Sequence, residues 1–278
     1  MRFGIASRPD RPDVSDVVRE ILDYLATKDA EVFVDTDTAM AMDFPVDSLD
    51  LGEMNVDIVV TIGGDGTIMR AAMLMNDPET PILGINMGSR GFLTEVLPED
   101  FKSALDRIIK GDYALEECMK LSSRSPELKS TFPDALNEVL VASSLPSKTL
   151  DMRLTIDGIH VLDVQADGVI VAPPTGSTAY NLSAGGSIMS PNVDAMILTA
   201  ICPYNYFKSV VIPSHSRVTI ELMKPKVDAL VIIDGREYEA IKPGSTVEVW
   251  KSEHMTRFIR FRSFYERLSR RLVFRQVR

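Results

Sequence analysis

The sequence is poor in cysteine, histidine and long apolar runs, and each shortage excludes a class of protein. Its 278 residues include 2 cysteines, Cys118 and Cys202, and 3 histidines. The cysteines are too far apart for a metal-binding or redox spacing, which favours reduced thiols in an intracellular protein over a disulfide-stapled one. No segment approaches the roughly 18 apolar residues of a membrane-spanning helix. Residues 1–6 are too weakly apolar for a signal peptide and are expected to form a strand. A cytoplasmic location without membrane contact is therefore predicted.

Positive charge is also scarce along most of the chain. There are 30 lysines and arginines against 40 aspartates and glutamates, a formal net charge of −10, which argues against nucleic-acid binding. The exception is the basic segment 257–278, which has a single acidic residue, Glu266. Its arginines are Arg257, Arg260, Arg262, Arg267, Arg270, Arg271, Arg275 and Arg278. A solvated or subunit-facing tail is the favoured interpretation, and contact with an anion is the alternative.

The first 110 or so residues alternate short apolar runs with helical periods. Residues 57–62 are apolar on both faces, as a buried parallel strand requires. Strands are predicted at 2–7, 31–34, 57–62 and 82–86, and helices after Asp13 and at 67–75 and 98–110. This order of strands and helices predicts βαβ units around a parallel sheet.

Beyond about Tyr113 the pattern changes to short strands separated by turn residues. Asp157-Gly158 between two apolar runs is a strong signal for a two-residue hairpin. Strands are predicted at 136–142, 153–156, 159–164, 164–171, 196–202, 218–223, 229–233, 246–250 and 257–261, before a helix at 264–272. A mostly antiparallel, β-rich second domain is therefore expected.

The sharpest local pattern is Gly63-Gly64-Asp65-Gly66-Thr67, between a buried strand and a helix. Consecutive glycines let backbone N–H groups approach an anion, and the following helix N-terminus adds a favourable partial charge. The segment is neither a Walker A loop nor a dinucleotide-binding fingerprint, because the glycine spacing differs. An aspartate in such a loop can accept a proton from a hydroxyl nucleophile or orient it. A simple tight turn is the alternative.

Four segments, in this order, resemble those of the NAD kinase family. The glycine loop 63–67 resembles a signature that this family shares with lipid kinases of the diacylglycerol kinase type and with 6-phosphofructokinases. Asn86-Met87-Gly88-Ser89-Arg90-Gly91-Phe92-Leu93-Thr94 and Asn137-Glu138 are similar to two further NAD kinase segments. Residues 167–186 are similar to the longest motif of the family, which lipid kinases lack. The matches span most of the chain, and their common order is more specific than any one motif.

The resemblance implies an enzyme that transfers a phosphoryl group from ATP, another nucleoside triphosphate or polyphosphate to the 2′-hydroxyl of the adenosine ribose of NAD. It implies an α/β domain over residues 1–112, joined by residues 263–278, and a β-rich NAD-binding domain over residues 113–262, with the active site between them. Mg²⁺ or another divalent metal would be held through the donor phosphates without direct protein ligands. A homodimer or homotetramer is also implied.

The family's site residues transfer onto matching positions of this sequence. Asp65 would be the catalytic proton acceptor, and Gly63, Gly64 and Thr67 would complete the phosphate loop. The implied NAD-binding residues are Gly66, Arg70, Asn137, Glu138, Lys148, Gln165, Asp167, Thr175, Thr178, Ala179, Tyr180, Asn181, Leu182 and Ser183.

The residue types suit these roles, although each has an ordinary alternative. Asn137 offers a donor and an acceptor, and Glu138 can accept hydrogen bonds from ribose hydroxyls; both could be edge polar residues of a strand. Tyr180 offers a ring face for a base. Arg70 and Lys148 could neutralise a pyrophosphate, or they could be a surface helix residue and a solvated loop residue.

Several positions depart from the family pattern. Pro173, Gln165 and Arg236 stand where threonine, a basic residue and glutamine are usual, and Ser89-Arg90 replaces the usual middle of the Gly-x-x-Gly segment. These departures bear on how the ligand is held more than on which class of reaction is catalysed. The sequence is also compatible with two other functions. A lipid kinase would bind liposomes, and a non-catalytic NAD(P)-sensing module would bind NAD without turnover.

Overall fold

A computed structural model describes residues 1–8, 12–42, 48–88, 91–128, 131–204, 207–223 and 227–273. The chain forms two compact units. The first contains Met1–Glu117 and Thr256–Arg278, and the second contains Cys118–Met255.

The first unit is built around a parallel sheet. Its elements are β1 (Arg2–Ser7), α1 (Pro12–Ala26), β2 (Glu31–Asp35), α2 (Thr36–Met42), β3 (Ser48–Leu49), β4 (Ile58–Gly63), α3 (Asp65–Leu74), β5 (Ile82–Asn86) and α4 (Phe101–Ile109), with short 3-10 helices at Leu51–Glu53 and Pro98–Asp100. The next strand, β6 (Ala114–Arg124), begins in the first unit and ends in the second. The strands lie in the order β3-β2-β1-β4-β5, and all neighbours are parallel. Every residue of β4 is buried, so the sheet needs cover on both faces. The apolar stripe of α1, including Val18, Ile21 and Leu25, packs with Leu105 of α4 in one core.

The second unit is antiparallel throughout its described strand pairs. Its elements are β7 (Val139–Ser143), β8 (Leu150–Ile156), β9 (Ile159–Ala166), β10 (Gly168–Ala172), a 3-10 helix Thr175–Thr178, α5 (Tyr180–Ser183), β11 (Ala195–Ile201), β12 (Ser209–Pro213), β13 (Val218–Leu222), β14 (Ala229–Ile233), β15 (Glu237–Ile241) and β16 (Thr246–Arg260). One set of strands has the order β12-β11-β10-β7-β14-β15, and another pairs β9, β8, β13 and β16. The end of β16 belongs to the first unit, where Phe258 pairs with Ile82 in parallel. The chain continues there into α6 (Phe264–Val273).

The predicted parallel α/β region and antiparallel β region are confirmed. The Asp157-Gly158 hairpin is also confirmed: both residues have positive φ, 51° and 79°, and they join β8 to β9. Both angles fall in the region that a two-residue hairpin turn requires.

The prediction of separate strands at 246–250 and 257–261 is wrong, because β16 runs unbroken from Thr246 to Arg260. In its middle section the buried positions are occupied by the polar residues Ser252 and Thr256. The sequence there lacks the alternation of apolar and polar residues that predicts a strand. The strand predicted at 164–171 is in fact the end of β9 and most of β10, interrupted at Asp167. Among the described residues, no helix has the length and apolar character needed to cross a membrane.

Candidate active site

The glycine loop connects β4 to α3 in the first unit. Gly63 ends the strand, Gly64 is extended with φ −116°, and Asp65 is the first residue of the helix. A Cβ on Gly63 would collide with the Thr67 hydroxyl, while the Thr67 N–H donates to the Gly64 carbonyl at 3.0 Å. The loop therefore needs glycine at position 63 for space, and it presents the N-terminal end of α3.

The Asp65 carboxylate is held by three consecutive backbone N–H groups. Phe92 donates to Oδ2 at 2.6 Å, and Leu93 and Thr94 donate to Oδ1 at 3.1 and 3.4 Å. A Cβ on Gly91 would collide with Oδ1 of Asp65, so a glycine at 91 leaves room for the carboxylate. The structure thus joins two of the sequence segments, 63–67 and 86–94; Ser89 and Arg90 of the second lie outside the described residues.

Burial raises the pKa of Asp65 above its ordinary value, because it disfavours the charged form. The three N–H groups and the positive charge of Arg271 act in the opposite direction without cancelling the effect. The residue as a whole is nevertheless partly exposed. Asp65 is therefore a carboxylate fixed by backbone donors, on a partly exposed residue, with enhanced proton affinity.

Arg70, one turn further along α3, is already bound by two carboxylates of its own unit. Its Nη1 donates to Asp35 at 3.0 Å, its Nη2 also pairs with Asp35, and Nη2 lies 3.3 Å from Asp37. The side chain of Asp35 is 5% exposed and that of Arg70 is 17% exposed. The surface-residue alternative does not fit this burial, and the guanidinium ties α3 to the end of β2.

The described part of the basic C-terminal segment faces carboxylates of the first unit. Arg260 and Arg267 both bind Glu116, at 2.7 and 2.6 Å, and both are almost fully buried. They also lie 3.5 and 3.9 Å from the buried Glu95. A solvated or subunit-facing tail is therefore wrong for these two arginines, whose charges neutralise acids of the same unit. Arg275 and Arg278 lie outside the described residues.

In the second unit, Asp234 organises the predicted Asn137-Glu138 pair. The N–H groups of Leu136, Asn137 and Glu138 donate to its carboxylate at 2.8, 2.7 and 2.9 Å. Asp234 has φ 52° and forms the turn between β14 and β15 with Gly235. Its role could not be assigned from the sequence, where Asp234-Gly235 shows only a turn.

Glu138 is a buried acid with a perturbed pKa. The residue is 8% exposed, and burial together with the nearby Asp234 charge raises its pKa to about 7. The Tyr180 N–H donates to the carboxylate and partly offsets this rise. Its Oε2 is buried without a hydrogen-bond partner among the described residues. A buried polar atom of this kind is costly unless a ligand or water satisfies it.

The loop 173–189 packs directly on Asn137. A Cβ on Gly176 would collide with the Asn137 carbonyl, so only glycine permits this approach. Thr175 Oγ1 is another buried oxygen without a partner among the described residues. Tyr180 is 42% exposed beside them. The structure therefore brings Asn137, Glu138, Thr175 and Tyr180 together from two distant segments.

Asn181 has a different environment from the other loop residues. It is fully buried; its amide nitrogen donates to the carbonyls of Ser177 and Ser187 at 2.9 and 3.1 Å, and its Oδ1 accepts from Thr199 at 2.6 Å. A Cβ on Gly186 would collide with this amide. The side chain thus fixes the loop from inside, and a direct contact with NAD remains an untested prediction.

The remaining predicted residues occupy other positions. Gly66 follows Asp65 and is exposed, while Lys148 is exposed between β7 and β8. Gln165 is half-buried near the end of β9, and Asp167 is exposed between β9 and β10.

Thr178 Oγ1 donates to the Thr175 carbonyl at 3.1 Å. Ala179 and Leu182 are half-buried and Ser183 is exposed. Pro173 is buried and Arg236 is exposed next to the Asp234-Gly235 turn.

Family models of known proteins match parts of both units. The model of the ATP-NAD kinase N-terminal domain matches residues 3–113, and that of the ATP-NAD kinase C-terminal domain matches residues 136–261. An NAD kinase of Methanosarcina mazei is 39% identical over 277 residues, covering 98% of this chain and 93% of the relative. An NAD kinase of Methanothermobacter thermautotrophicus is 38% identical over 277 residues, covering 98% and 96%.

Two solved structures have similar folds. An NAD kinase from Archaeoglobus fulgidus in complex with ATP has a TM-score of 0.79 and 28% identity, with 98% of this chain and 99% of that chain covered. Yeast NADH kinase complexed with NADH has a TM-score of 0.90, covering 100% and 89%, and at 24% identity it supports the fold alone. The two domain matches and the near full-length relatives show that the chain belongs to the NAD kinase family.

Proposed function

We propose that Asp65 takes or orients the proton of the adenosine ribose 2′-hydroxyl when this chain phosphorylates NAD. The overall reaction, phosphorylation of NAD with ATP as donor, follows from membership of the family. The observation that carries the proposal is the carboxylate of Asp65, fixed by three N–H groups yet partly exposed beside the glycine loop.

Hydrogen-bond counting supports a remaining acceptor position on Asp65. An ionised carboxylate has about four acceptor sites, and the three N–H donors use one on Oδ2 and two on Oδ1. A hydroxyl can therefore donate to Oδ2 without displacing a described hydrogen bond. The raised pKa favours proton acceptance. In a loose phosphoryl transfer the proton moves late, so orientation of the hydroxyl contributes as much as basicity.

The glycine loop is proposed to hold the donor phosphates. Gly63, Gly64, Gly66 and Thr67 surround Asp65 at the N-terminal end of α3, where backbone N–H groups and the helix dipole favour anions. Other nucleoside triphosphates or polyphosphate are proposed as alternative donors on the same physical grounds.

A divalent metal such as Mg²⁺ fits this loop as a companion of the phosphates. Mg²⁺ is commonly held by one or two carboxylates together with substrate phosphates and water. The metal would be held through the donor phosphates without direct protein ligands, as the family resemblance implies; no cluster of three or more potential His, Cys, Asp or Glu ligands occurs in the described part of the chain. When bound, the metal would neutralise negative charge on the transferring group.

The β-rich region 113–262 is proposed to bind NAD, while region 1–112, joined by residues 263–278, acts on the phosphates. Glu138 and Thr175 each have a side-chain oxygen without a partner among the described residues, which supports this proposal, because ribose hydroxyls can donate to the first and accept from or donate to the second. Asn137 and Tyr180 lie within the same cluster and offer an amide and a ring face.

The other predicted NAD contacts are proposed with less direct support. The contributors are Gly66, Arg70, Lys148, Gln165, Asp167, Thr178, Ala179, Asn181, Leu182 and Ser183. Arg70 and Asn181 are proposed to act chiefly by fixing α3 and the loop 173–189, since their polar atoms already have partners. A cytoplasmic homodimer or homotetramer is proposed from family resemblance alone, and sedimentation would determine its size.

The test of the proposed function compares Asp65→Asn with Asn137→Ala. Pure protein is incubated with NAD, ATP and Mg²⁺, and NADP formation is followed. Asp65→Asn keeps the side-chain size but removes its charge, so kcat should fall by roughly 10²–10⁴-fold with little change in the calorimetric Kd for NAD. Asn137→Ala should mainly weaken NAD binding. An Asp65→Asn enzyme with near wild-type single-turnover rate would exclude Asp65 as the acting group.

A further inference from the structure

We propose that Arg271, on the C-terminal helix, is a positioning residue for the reaction: it fixes the segment that holds Asp65 and faces this carboxylate with a positive charge. The inference rests on the proposed role of Asp65. Neither the glycine loop nor the 86–94 motif contains Arg271, which is about 200 residues away in sequence.

The geometry places Arg271 against both ends of the segment 92–94. Its Nη2 donates to Thr94 Oγ1 at 3.2 Å. Its guanidinium lies over the Phe92 ring, 5.6 Å from the ring centroid, a distance at which a cation is attracted to an aromatic face. Phe92 and Thr94 are the first and last N–H donors to the Asp65 carboxylate. A movement of Arg271 would therefore be transmitted to all three donors.

The helix that carries Arg271 is anchored by a second arginine. Arg267 lies four residues earlier, on the same helix face, and binds Glu116 at 2.6 Å. Arg270 is exposed in the same turn. Helix α6 therefore holds Arg271 in place, and Arg270 provides a matched control with the same charge.

Arg271 is also the main positive charge facing Asp65. Its charge lowers the pKa of Asp65, against the larger raising effect of burial. Arg8 lies at the end of β1 with its Cβ 3.2 Å from the position of a Cβ on Gly63, and Arg70 of α3 is bound by Asp35. Arg260, Arg262 and Arg267 act on Glu95. Without Arg271 the raising effect of burial would be offset less, and Asp65 would protonate at a higher pH.

The experiment uses the Phe92 amide as a reporter that does not depend on activity. In full-length protein labelled with ¹⁵N-phenylalanine, this amide should follow the Asp65 carboxylate as pH changes, and Asp65→Asn should abolish the titration. Arg271→Gln should move the midpoint to higher pH, whereas Arg271→Lys and the control Arg270→Gln should leave it close to the wild-type value.

Kinetics provide the second readout. Arg271→Gln should lower kcat by about 10–100-fold, because misplacement of a catalytic group can cost on the order of 10²-fold, and should shift the acidic limb of the rate profile upward. Arg271→Lys should restore both kcat and the position of the acidic limb. A loss of activity confined to KM for ATP, or equal midpoints in Arg271→Gln and Arg270→Gln, would overturn the inference.

The two proposals fail in different ways. If Asp65→Asn retains its rate, the proposed function fails regardless of the Phe92 midpoint. If Asp65→Asn loses its rate but the midpoint does not respond to Arg271→Gln, the inference about Arg271 fails alone.

Discussion

Replacing Glu138 by glutamine removes a buried ionisable group while keeping the size of the side chain, and the structure predicts opposite effects on stability and binding. Burial and the charge of Asp234 raise the pKa of Glu138 from 4.5 to about 7. Since one pKa unit corresponds to about 1.4 kcal/mol, this shift amounts to roughly 3 kcal/mol. It measures how strongly the folded, ligand-free protein disfavours the charged carboxylate.

The pH range and sign follow from the same shift. The unfolded chain releases this proton near 4.5, and the folded protein keeps it until about 7. The stability contributed by Glu138 is therefore fully present below pH 4.5 and is lost as pH rises through 7. Glu138→Gln cannot lose a proton, so its advantage over wild type should increase between pH 5 and pH 8 by up to about 3 kcal/mol.

Thermal unfolding at several pH values checks this prediction. A gain of this size at pH 8 should raise Tm by roughly 5–10 °C for a chain of this length, with a much smaller gain at pH 5. Glu237→Gln is the matched control, because this exposed glutamate of β15 loses the same charge. An equal difference between variant and wild type at both pH values would refute the reasoning.

NAD binding should respond in the opposite direction. Ribose hydroxyls that donate to an ionised carboxylate contribute about 1.5–3 kcal/mol, so Glu138→Gln should raise the calorimetric Kd for NAD by roughly 10–100-fold. The wild-type affinity should also fall as pH decreases through 7, and that dependence should weaken in the variant. Unchanged affinity at every pH would place NAD away from Glu138.

Two further predictions concern the arginine and lysine expected near NAD. Arg70→Gln leaves the buried Asp35 carboxylate without its cationic partner, although Thr38 still donates to it. The variant should therefore be less stable by on the order of 3 kcal/mol; urea unfolding measures the loss, and Asp35→Asn in the same protein should recover part of it. A change in KM for NAD without loss of stability would instead support direct contact. Lys148→Ala changes an exposed loop residue, so it should raise KM for NAD with little effect on kcat or Tm; a collapse of kcat at unchanged KM would contradict this role.

Local patterns were sufficient to predict the fold class and to single out the segments that the structure joins at the candidate site. The apolar run of β4 and the helical period of α1 are patterns among residues close together in sequence, and hydrophobic periodicity detects such patterns well. Strand β15 was missed because four of its five residues are exposed, which leaves no apolar alternation. Strand β16 was divided in two for a related reason, since its centre buries hydroxyl side chains.

Contacts between distant residues could not be predicted in the same way. The sequence identifies Arg70 as a cation after the glycine loop, but Asp35, which binds it, lies in a separate strand. The C-terminal arginines similarly look like an exposed basic tail until Glu116 and Glu95 are placed beside them. The sequence shows which residues are charged. Which charges pair with each other depends on how the unit packs.

Two Asp-Gly pairs illustrate why residue type alone does not define a role. Asp65 and Asp234 each precede glycine, and each carboxylate accepts hydrogen bonds from three consecutive backbone N–H groups. Asp65 lies at the start of a helix, beside the glycine loop that is proposed to hold the donor phosphates, and its carboxylate is the proposed proton acceptor. Asp234 lies in a hairpin turn at φ 52° and uses its carboxylate to hold Asn137 and Glu138. Its charge also raises the proton affinity of Glu138, one of the residues proposed to bind NAD.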